Sequence, residues 1–321
     1  MIDRDLIRAN LGKCLEEASH LGFSGYRRGK VRDTFDIGDK LILVTTDRQS
    51  AFDRVLASIP FKGQVLNQVS AFWFENTKDI VQNHVIDLPD PNVTVGRKGK
   101  VVPIEFVVRS YMTGSTSTSI WKNYEAGMRQ YCGHTIPDGM VKNQKLEQAI
   151  VTPTTKDDEH DELTSADALV ATGVVDQSTW NRMEEIALAL FARGQEIAAK
   201  NGLILVDTKY ELAWDDNGEI MLIDEIHTPD SSRYWIADSY TGRFDAGQEP
   251  ENIDKEFLRL WFVDNCDPYK DEVLPAAPDE LVVELASRYA RLYEMITGRD
   301  FVPVEQPPIG ERLVANLAKY K

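Results

Sequence analysis

Three charged residues alternate along one apolar segment, where Asp207, Lys209 and Glu211 are each separated by a single residue. Successive side chains of a β-strand point to opposite faces, so these three side chains would share one face. The same segment runs into Asn217-Gly218, which is the favoured two-residue loop of a β-hairpin because both loop residues need positive φ. The sequence therefore predicts a hairpin that presents a charged face.

The predicted hairpin also fixes a cross-strand partner for each charged residue. A two-residue loop pairs Asp216 with Glu219, and counting outward puts Glu211 opposite Asp224. Directly opposed carboxylates repel, so this pair needs a cation, a shared proton or full solvation. Mg²⁺ is a hard cation held by one or two carboxylates plus substrate phosphates, and Lys209 on the same face would reach a phosphate. The alternative is an exposed edge hairpin with solvated charges, although the apolar flanking residues favour a hairpin packed against a core.

A second candidate site lies near the N-terminus, where four basic residues surround a glycine at 27–33. Gly29 would let the backbone approach a phosphate closely, and Lys30 and Arg32 alternate onto one face of a strand. The segment matches neither a Walker loop nor a Rossmann fingerprint. A phosphate-binding turn and an ordinary basic surface turn therefore both remain open here.

A third candidate site follows the apolar segment 101–109. This segment ends at Arg109 and runs into Thr113-Gly114-Ser115-Thr116-Ser117, a turn of small and hydroxyl residues. An arginine beside exposed amides and hydroxyls suits a phosphate monoester, because the guanidinium binds two phosphate oxygens at once. Ser115 or Ser117 would alternatively serve as the N-cap of a helix.

The elements that carry these residues follow from hydrophobic periodicity and turn signals. The predicted strands are two within 25–37, then 40–46, 101–109, 203–214 and 219–226, and the predicted helices are 3–21, 63–76, 117–127, 178–200, 255–263, 279–296 and 310–319. Strands dominate the first part and helices the last, which favours an α+β protein over a regular βαβ series.

Composition narrows the class of protein. The 321 residues carry a formal charge of −16, which argues against a nucleic-acid-binding protein and a polybasic membrane anchor. The sequence contains three cysteines, Cys14, Cys132 and Cys266, and they lie too far apart in sequence for a zinc knuckle or a disulfide framework. A reducing compartment, the cytoplasm, is expected, and neither a signal peptide nor a membrane-spanning segment is predicted.

The candidate sites fall within short motifs that resemble those of the SAICAR synthetase family, the phosphoribosylaminoimidazole-succinocarboxamide synthases. The motifs are Gly-Lys-Val-Arg-Asp at 29–33, Ser-Ala-Phe-Asp at 50–53, Val-Pro-Ile-Glu-Phe-Val-Val-Arg-x-x-x-Thr-Gly-Ser at 102–115, Leu-Val-Asp-x-Lys-x-Glu at 205–211 and Thr-Pro-Asp-Ser-Ser-Arg at 228–233. The C-terminal extension is similar to that of the longer, yeast-like form. One departure is Leu212-Ala213 after Glu211, where many members have Phe-Gly; it keeps the acid.

The resemblance implies a two-lobed α+β fold. An N-terminal, mostly antiparallel β lobe at 1–104 would hold the glycine and lysine phosphate loop and form a nucleotide cleft like that of kinases or ATP-grasp enzymes. A larger α/β lobe at 105–321 would hold the other substrate and the metal. The implied activity joins L-aspartate to the carboxylate of CAIR (carboxyaminoimidazole ribonucleotide) through an acyl phosphate, with ATP and Mg²⁺ required. The implied partners are these small molecules alone, for a monomer or a homodimer.

The resemblance also implies roles for individual residues. Lys30, Lys209 and Asp207 are the implied catalytic residues. ATP would contact Gly29, Lys30, Arg32, Glu105, Lys209, Glu211 and Asp224. CAIR or aspartate would contact Asp53, Arg109, Ser115, Asp207 and Arg233. Glu211 and Asp224 would hold Mg²⁺, and the segment 152–161 resembles a mobile segment over the active site.

Two other functions are compatible with the same residues. A small-molecule kinase would use the same lysines and metal carboxylates to phosphorylate a hydroxyl group. A non-catalytic nucleotide-binding module would tolerate the loss of Lys30, Lys209, Glu211 or Asp224. Amide formation coupled to phosphate release distinguishes the ligase from both.

Overall fold

The computed structural model describes residues 2–52, 54–155, 162–253 and 256–321. Its strands are β1 (Arg27–Arg28), β2 (Arg32–Asp36), β3 (Lys40–Thr45), β4 (Arg48–Ala51), β5 (Arg54–Ser58), β6 (Gln82–Asn83), β7 (Val85–Asp90), β8 (Val93–Arg97), β9 (Lys100–Tyr111), β10 (Gln130–Tyr131), β11 (His134–Thr135), β12 (Lys145–Thr155), β13 (Leu203–Trp214), β14 (Ile220–Ile223) and β15 (Ser232–Ile236). Its helices are α1 (Arg4–Arg8), α2 (Lys62–Thr77), α3 (Ile120–Glu125), α4 (Ala166–Ala171), α5 (Gln177–Lys200), α6 (Ala237–Asp245), α7 (Glu256–Asn265), α8 (Asp279–Thr297) and α9 (Ile309–Asn316), with 3-10 turns at Leu11–Lys13, Ser19–Leu21 and Ala318–Tyr320. Within these described ranges, no helix is both long and apolar enough to cross a membrane.

The first sheet is antiparallel and has the strand order β1-β2-β3-β8-β7. Its core contains Phe35, Ile42 and Val95 from the sheet, together with Leu313 and Leu317 from the C-terminal end of the chain. The last helix therefore completes the hydrophobic core of the N-terminal lobe.

The second sheet has the order β12-β9-β13-β14-β6, and β15 also pairs with β13. The long strands β9 and β13 run antiparallel at its centre. One face packs on α5, where the ring of Trp180 stacks on Phe106 with centroids 5.6 Å apart. The opposite face carries the charged residues of β9 and β13, because side chains alternate between the two faces of a strand.

The α+β architecture and the long helix predicted at 178–200 are confirmed. The helix predicted at 3–21 is wrong beyond α1, which ends at Arg8. The backbone N–H groups of Leu15 and Ala18 donate instead to the carboxylates of Asp47 and Asp33, at 2.7 and 2.8 Å. These tertiary hydrogen bonds replace the intrahelical bonds that a continuous helix would have made.

Sequence periodicity also missed strand β12. This strand forms the edge of the second sheet, where Pro153 is tolerated because its missing N–H does not interrupt the sheet interior. Its exposed residues Lys145, Glu147 and Gln148 resemble those of a loop. Only pairing with β9 identifies it as a strand.

Candidate active site

The charged face of the second sheet is built by the register of its two central strands. Residues on β9 and β13 pair as Glu105 with Glu211 and Arg109 with Asp207. Lys209 lies between these two pairs on β13, opposite Val107. The face therefore has an acidic end and a basic end, roughly 13 Å apart at about 3.3 Å per residue.

Lys209 neutralises the acidic end. Its Nζ lies 2.6 Å from an oxygen of Glu105 and 2.8 Å from an oxygen of Glu211. Burial opposes the charge of Lys209, but the negative charges of Glu211 and Glu105 outweigh this effect and raise the pKa of Lys209 above its ordinary value. Lys209 is therefore held in its positively charged form by this pair of carboxylates.

The predicted register of the hairpin is wrong. Glu211 pairs with Ile223, one residue before the predicted partner Asp224. The loop is one residue longer than predicted, because Oδ1 of Asp215 accepts bonds from the N–H groups of Asn217 and Glu219, both at 2.9 Å. The carboxylate directly opposite Glu211 belongs to Glu105 of a different strand.

Asp224 lies just beyond the end of β14 and is nonetheless close to this acidic end. Its backbone is left-handed, with a φ of 66°, so the strand alternation does not continue through it. The negative charge of Asp224 contributes to the raised pKa of Lys209. Glu211 and Asp224, the two predicted metal ligands, therefore both lie near Lys209, although they are not cross-strand partners.

Arg32 connects the two lobes at this point. Its guanidinium lies 2.5 Å from Oδ1 of Asp224 and 2.6 Å from Oε2 of Glu225. Burial opposes its charge, but Asp224 and Glu225 hold the pKa of Arg32 above its ordinary value. Burial raises the pKa of Glu225, and the positive charge of Arg32 opposes that rise.

The basic end of the face is a row of three charges on three adjacent strands. Asp207 pairs in register with Arg109 on one side and with Arg233 on the other. Both guanidinium groups approach Oδ2 of Asp207, that of Arg109 at 3.6 Å. Arg109 also donates to Oγ1 of Thr152 at 3.0 Å. The row carries one net positive charge and two guanidinium groups, which suits a phosphate monoester.

The turn after β9 lies beside this row. Thr113, Gly114, Ser115 and Arg233 line one pocket. Gly114 has a φ of +110°, and a Cβ there would lie 2.4 Å from Cβ of Ser119, so glycine is required for this close approach. Ser119 rather than Ser115 or Ser117 is the N-cap of α3, accepting from the N–H of Lys122. Ser115 is exposed and belongs to the turn.

The predicted glycine-containing turn is confirmed: residues 29–31, the glycine loop, connect β1 and β2. The N–H of Gly29 donates to the carbonyl of Arg32 at 2.8 Å, and a Cβ on Gly29 would lie 2.7 Å from that oxygen. Lys30 is exposed at the end of the turn. Asp53, predicted to contact a substrate, and residues 156–161 of the predicted mobile segment lie outside the described residues.

Several charged residues near the site, some buried and some exposed, were missed by sequence reasoning. Lys62 is completely buried and lies 2.7 Å from Asp230, which also accepts from the hydroxyl of Tyr289 at 2.7 Å. Lys142 and Glu249 pair at 2.5 Å beside Arg233. Asp230 lies within the motif at 228–233, so that motif was the available signal, but the partners come from distant helices and loops.

The donor chemistry of the acidic end fits a hard cation. Glu105, Glu211 and Asp224 supply carboxylate oxygens, which Mg²⁺ prefers. In the part of the chain that the structure describes, no group of three or more His, Cys, Asp or Glu side chains is arranged to hold a metal by itself. A Mg²⁺ ion here would therefore share its coordination between one or two carboxylates, phosphate oxygens and water.

Comparisons with known proteins agree on one family. A family model described as SAICAR synthetase matches residues 25–276. The chain is 61% identical over 308 residues to the phosphoribosylaminoimidazole-succinocarboxamide synthase of Legionella pneumophila (strain Paris), covering 96% of this chain and 98% of that protein. Among solved structures it is similar to the SAICAR-synthase from Saccharomyces cerevisiae complexed with SAICAR, with 32% identity, a TM-score of 0.75, and coverage of 87% of this chain and 97% of that one. It is also similar to a type-2 SAICAR synthetase in complex with ADP, with 26% identity, a TM-score of 0.66, and coverage of 86% and 99%.

Proposed function

We propose that CAIR and ATP meet on the charged face of the second sheet. The proposal starts from the family: the chain belongs to the SAICAR synthetases and is an ATP-dependent carbon–nitrogen ligase of purine biosynthesis. CAIR lies along β13 with its phosphate at the basic end and its carboxylate near Lys209. The triphosphate of ATP lies between the acidic end and the glycine loop. The observation that carries this assignment is the polarity of the face, with two arginines at one end and a lysine clamped by two carboxylates at the other.

The basic end recognises the phosphate of CAIR. Arg109 and Arg233 share Asp207, which orients both guanidinium groups toward one position. A guanidinium binds two phosphate oxygens with fixed geometry. Ser115 and the backbone around Gly114 complete the pocket next to Arg233. The pair of arginines, Arg109 and Arg233, thus fixes the position of the whole ribonucleotide.

The acidic end positions the reacting phosphoryl group. Glu211 and Asp224 would hold Mg²⁺, which would supply neutralisation of the negative charge on the phosphates of ATP. Lys209 supplies a permanent positive charge between the CAIR carboxylate and the γ-phosphate. Lys30, on the exposed end of the glycine loop, neutralises the phosphates from the other lobe. Phosphoryl transfer asks a protein mainly for this kind of positioning and charge stabilisation.

The order of bond changes follows from the chemistry of the substrates. A carboxylate is a poor electrophile toward an amine, so the CAIR carboxylate first attacks the γ-phosphorus and ADP leaves. The aspartate amine then attacks the carbonyl of the acyl phosphate, and the C–O bond breaks to release phosphate. The kinase alternative is not favoured, because the relatives at this similarity are ligases.

An omission assay tests the proposed function. Purified protein is supplied with ATP, CAIR, L-aspartate and MgCl₂, and each component is left out in turn while ADP, phosphate and amide product are measured. Amide formation that requires all four components, with one ADP per amide, is the expected result. ATP consumption that depends on a hydroxyl compound and ignores CAIR with aspartate would overturn the ligase assignment.

The basic end is tested separately by Arg109→Ala. We expect the KM for CAIR to rise roughly tenfold or more, since a charge-assisted phosphate contact is lost, while the KM for ATP changes little. Arg129→Ala is the control, because Arg129 forms an exposed ion pair with Asp138 away from the charged face. A rise confined to the KM for ATP would place the phosphate pocket elsewhere.

Coarser features of the protein complete the proposal. The proposed division into lobes at residues 1–104 and 105–321 stays a prediction: the change of sheet between β8 and β9 favours a boundary at 98–99, before the predicted one, which falls within β9, and α9 packs back on the first lobe. The free thiols of Cys14, Cys132 and Cys266 support a reducing compartment such as the cytoplasm. Size-exclusion chromatography with light scattering distinguishes the proposed monomer from the homodimer.

A further inference from the structure

A buried arginine holds the backbone of the glycine loop. Arg48 is 1% exposed and donates from Nε to the carbonyl of Lys30 at 3.1 Å and from Nη2 to the carbonyl of Gly29 at 2.9 Å. A third bond, from Nη1, reaches the carbonyl of Glu16. One side chain thus joins two consecutive carbonyls of the loop to the N-terminal segment.

The arginine is itself fixed by a buried carboxylate. Nη2 of Arg48 lies 2.7 Å from Oδ1 of Asp33, which is completely buried. The other oxygen of Asp33 accepts from the N–H of Ala18 at 2.8 Å and from the hydroxyl of Tyr26 at 3.2 Å. These bonds leave the guanidinium little freedom to turn away from the loop.

Thr46 holds the next carbonyl along the chain, that of Val31. Its backbone N–H and its hydroxyl both donate to the carbonyl of Val31, at 3.0 and 2.7 Å. Three consecutive carbonyls, those of Gly29, Lys30 and Val31, are therefore all held by the segment between β3 and the start of β4.

The ion pair of Arg48 with Asp33 serves folding, but the bonds from Arg48 to the loop carbonyls are more than an exposed turn requires. The turn is at the surface, with Gly29 and Lys30 exposed, and water satisfies the carbonyls of an exposed turn without a protein donor. A buried ion pair, in contrast, carries a desolvation penalty. The short strand β1 contributes only two paired residues, so pairing alone would leave the loop free to move.

The direction of these three carbonyls affects how well the loop can accept a phosphate. A carbonyl oxygen turned toward a triphosphate repels it, whereas backbone N–H groups attract it. Holding three carbonyls toward the interior of the lobe removes this repulsion before ATP arrives. We propose that Arg48, assisted by Thr46, is a positioning residue that fixes the glycine loop in the conformation that accepts the phosphates of ATP. This inference rests on the proposed function of the loop.

The central test is Arg48→Lys. Lysine keeps the charge beside Asp33 but lacks the planar fork that reaches two carbonyls at once. The expected result is a rise of about tenfold or more in the KM for ATP, because small displacements of a positioning group have large kinetic effects, with the KM values for CAIR and aspartate unchanged. Hydrogen exchange over residues 27–33, followed by mass spectrometry, should become faster.

The chain offers a matched control in Arg312→Lys. Arg312 is also a buried arginine, 5% exposed, with a carboxylate partner, Asp90, at 2.8 Å, and it also donates to the carbonyl of Val304. Its hydrogen bonds in the described residues go to Asp90, Asn92 and Val304 and not to residues 27–33, so its lysine variant should lose stability with a much smaller change in the KM for ATP than Arg48→Lys. An equal rise in the KM for ATP in both variants would reduce Arg48 to a structural residue and overturn the proposal.

Two further variants separate the possible failures. Thr46→Val removes only the hydroxyl bond to Val31, and it should raise the KM for ATP by about threefold; if Arg48→Lys does not fold, an unchanged KM in Thr46→Val overturns the proposal. Lys30→Met tests the loop itself. An effect of Lys30→Met without an effect of Arg48→Lys refutes the role of Arg48, whereas no effect of either refutes the ATP assignment of the loop. Wild-type protein inactive with CAIR, aspartate and ATP would refute the proposed function instead.

Discussion

Lys209 occupies the position between two carboxylates that repel each other. Glu105 and Glu211 are direct cross-strand neighbours, and each is less than one-tenth exposed. Like charges in this position are destabilising unless a cation lies between them. The same ammonium group that we propose to serve the reaction therefore also stabilises the sheet.

This double role gives a prediction about charge balance. Lys209→Met should lower the free energy of unfolding by about 1–3 kcal/mol, a range reduced because Lys209 is partly exposed, and should abolish amide formation. Adding Glu105→Gln removes one of the repelling charges and should restore part of the stability while the activity stays absent. Urea unfolding of both single variants and the double variant completes the cycle. Additive losses in the double variant would contradict the clamp.

His227 predicts how stability depends on pH. It is completely buried, its Nε2 is hydrogen-bonded to the hydroxyl of Tyr210, and its ring contacts Trp73. Burial lowers the pKa of His227 to about 3, whereas in the unfolded chain the pKa returns to about 6.5. As the pH falls from 6.5 toward 3, only the unfolded chain takes up the proton, so this contribution to stability is complete above pH 6.5 and is lost on acidification.

The variant His227→Gln removes this titration. Whatever its constant cost, the variant should lose about 1.4 kcal/mol less per pH unit than the wild type between pH 6 and pH 4. Urea unfolding at pH 7.5, 6, 5 and 4 measures the difference. Trp73→Phe is the control, since it disturbs the same packing without removing a titrating group. Parallel curves for wild type and His227→Gln would refute the prediction.

At the scale of elements, the sequence predicted what depends on local pattern and missed what depends on partners. The shared face of Asp207, Lys209 and Glu211 follows from alternation along one strand and needs no other information. The partner of Glu211 depends on which strand lies alongside, and that strand is about one hundred residues away. The register predicted for the local hairpin was also wrong by one residue, because hydrogen bonds to the side chain of Asp215 stabilise a longer loop.

The contact between α5 and β13 is tight enough to make one glycine necessary. A Cβ on Gly194 would lie 2.4 Å from Cε1 of His227 and 2.7 Å from Cδ2 of Leu205. Alanine would improve helix propensity by at most about 1 kcal/mol, but overpacking costs about 1–3 kcal/mol. Gly194→Ala should therefore destabilise the protein.

A second glycine in a helix supplies the opposite case. Gly242 lies within α6, and a Cβ there would meet nothing within 4 Å. Gly242→Ala should raise the free energy of unfolding by about 0.5–1 kcal/mol through helix propensity alone. Urea midpoints with unchanged slopes measure both variants. Stabilisation by Gly194→Ala would mean that the helix moves away from the sheet easily.

At the scale of the whole molecule, the two ends of the chain and the two lobes are joined by specific contacts. Arg32 of the first lobe pairs with Asp224 and Glu225 of the second. The C-terminal helix α9 returns to the first lobe, where Arg312 pairs with Asp90. The first lobe, which carries the glycine loop, therefore depends on residues at the far end of the sequence.

This dependence is tested by Leu317→Ala. Leu317 is completely buried against the first sheet, so its truncation should cost about 2–5 kcal/mol. Val314→Ala is the matched control, because Val314 is 40% exposed in the same part of the chain and should change stability by less than about 0.5 kcal/mol. Thermal unfolding measures both variants.

The region that loses stability in Leu317→Ala shows whether α9 stabilises the first lobe alone or the whole molecule. In Leu317→Ala, hydrogen exchange should accelerate in β3, which shares a hydrophobic core with Leu317, more than in β13. ATP at about 100 times its Kd should recover about 2.7 kcal/mol, because it binds only the folded cleft. Equal acceleration in both sheets would mean that the two lobes unfold as one unit, and the C-terminal helix would then stabilise the molecule as a whole.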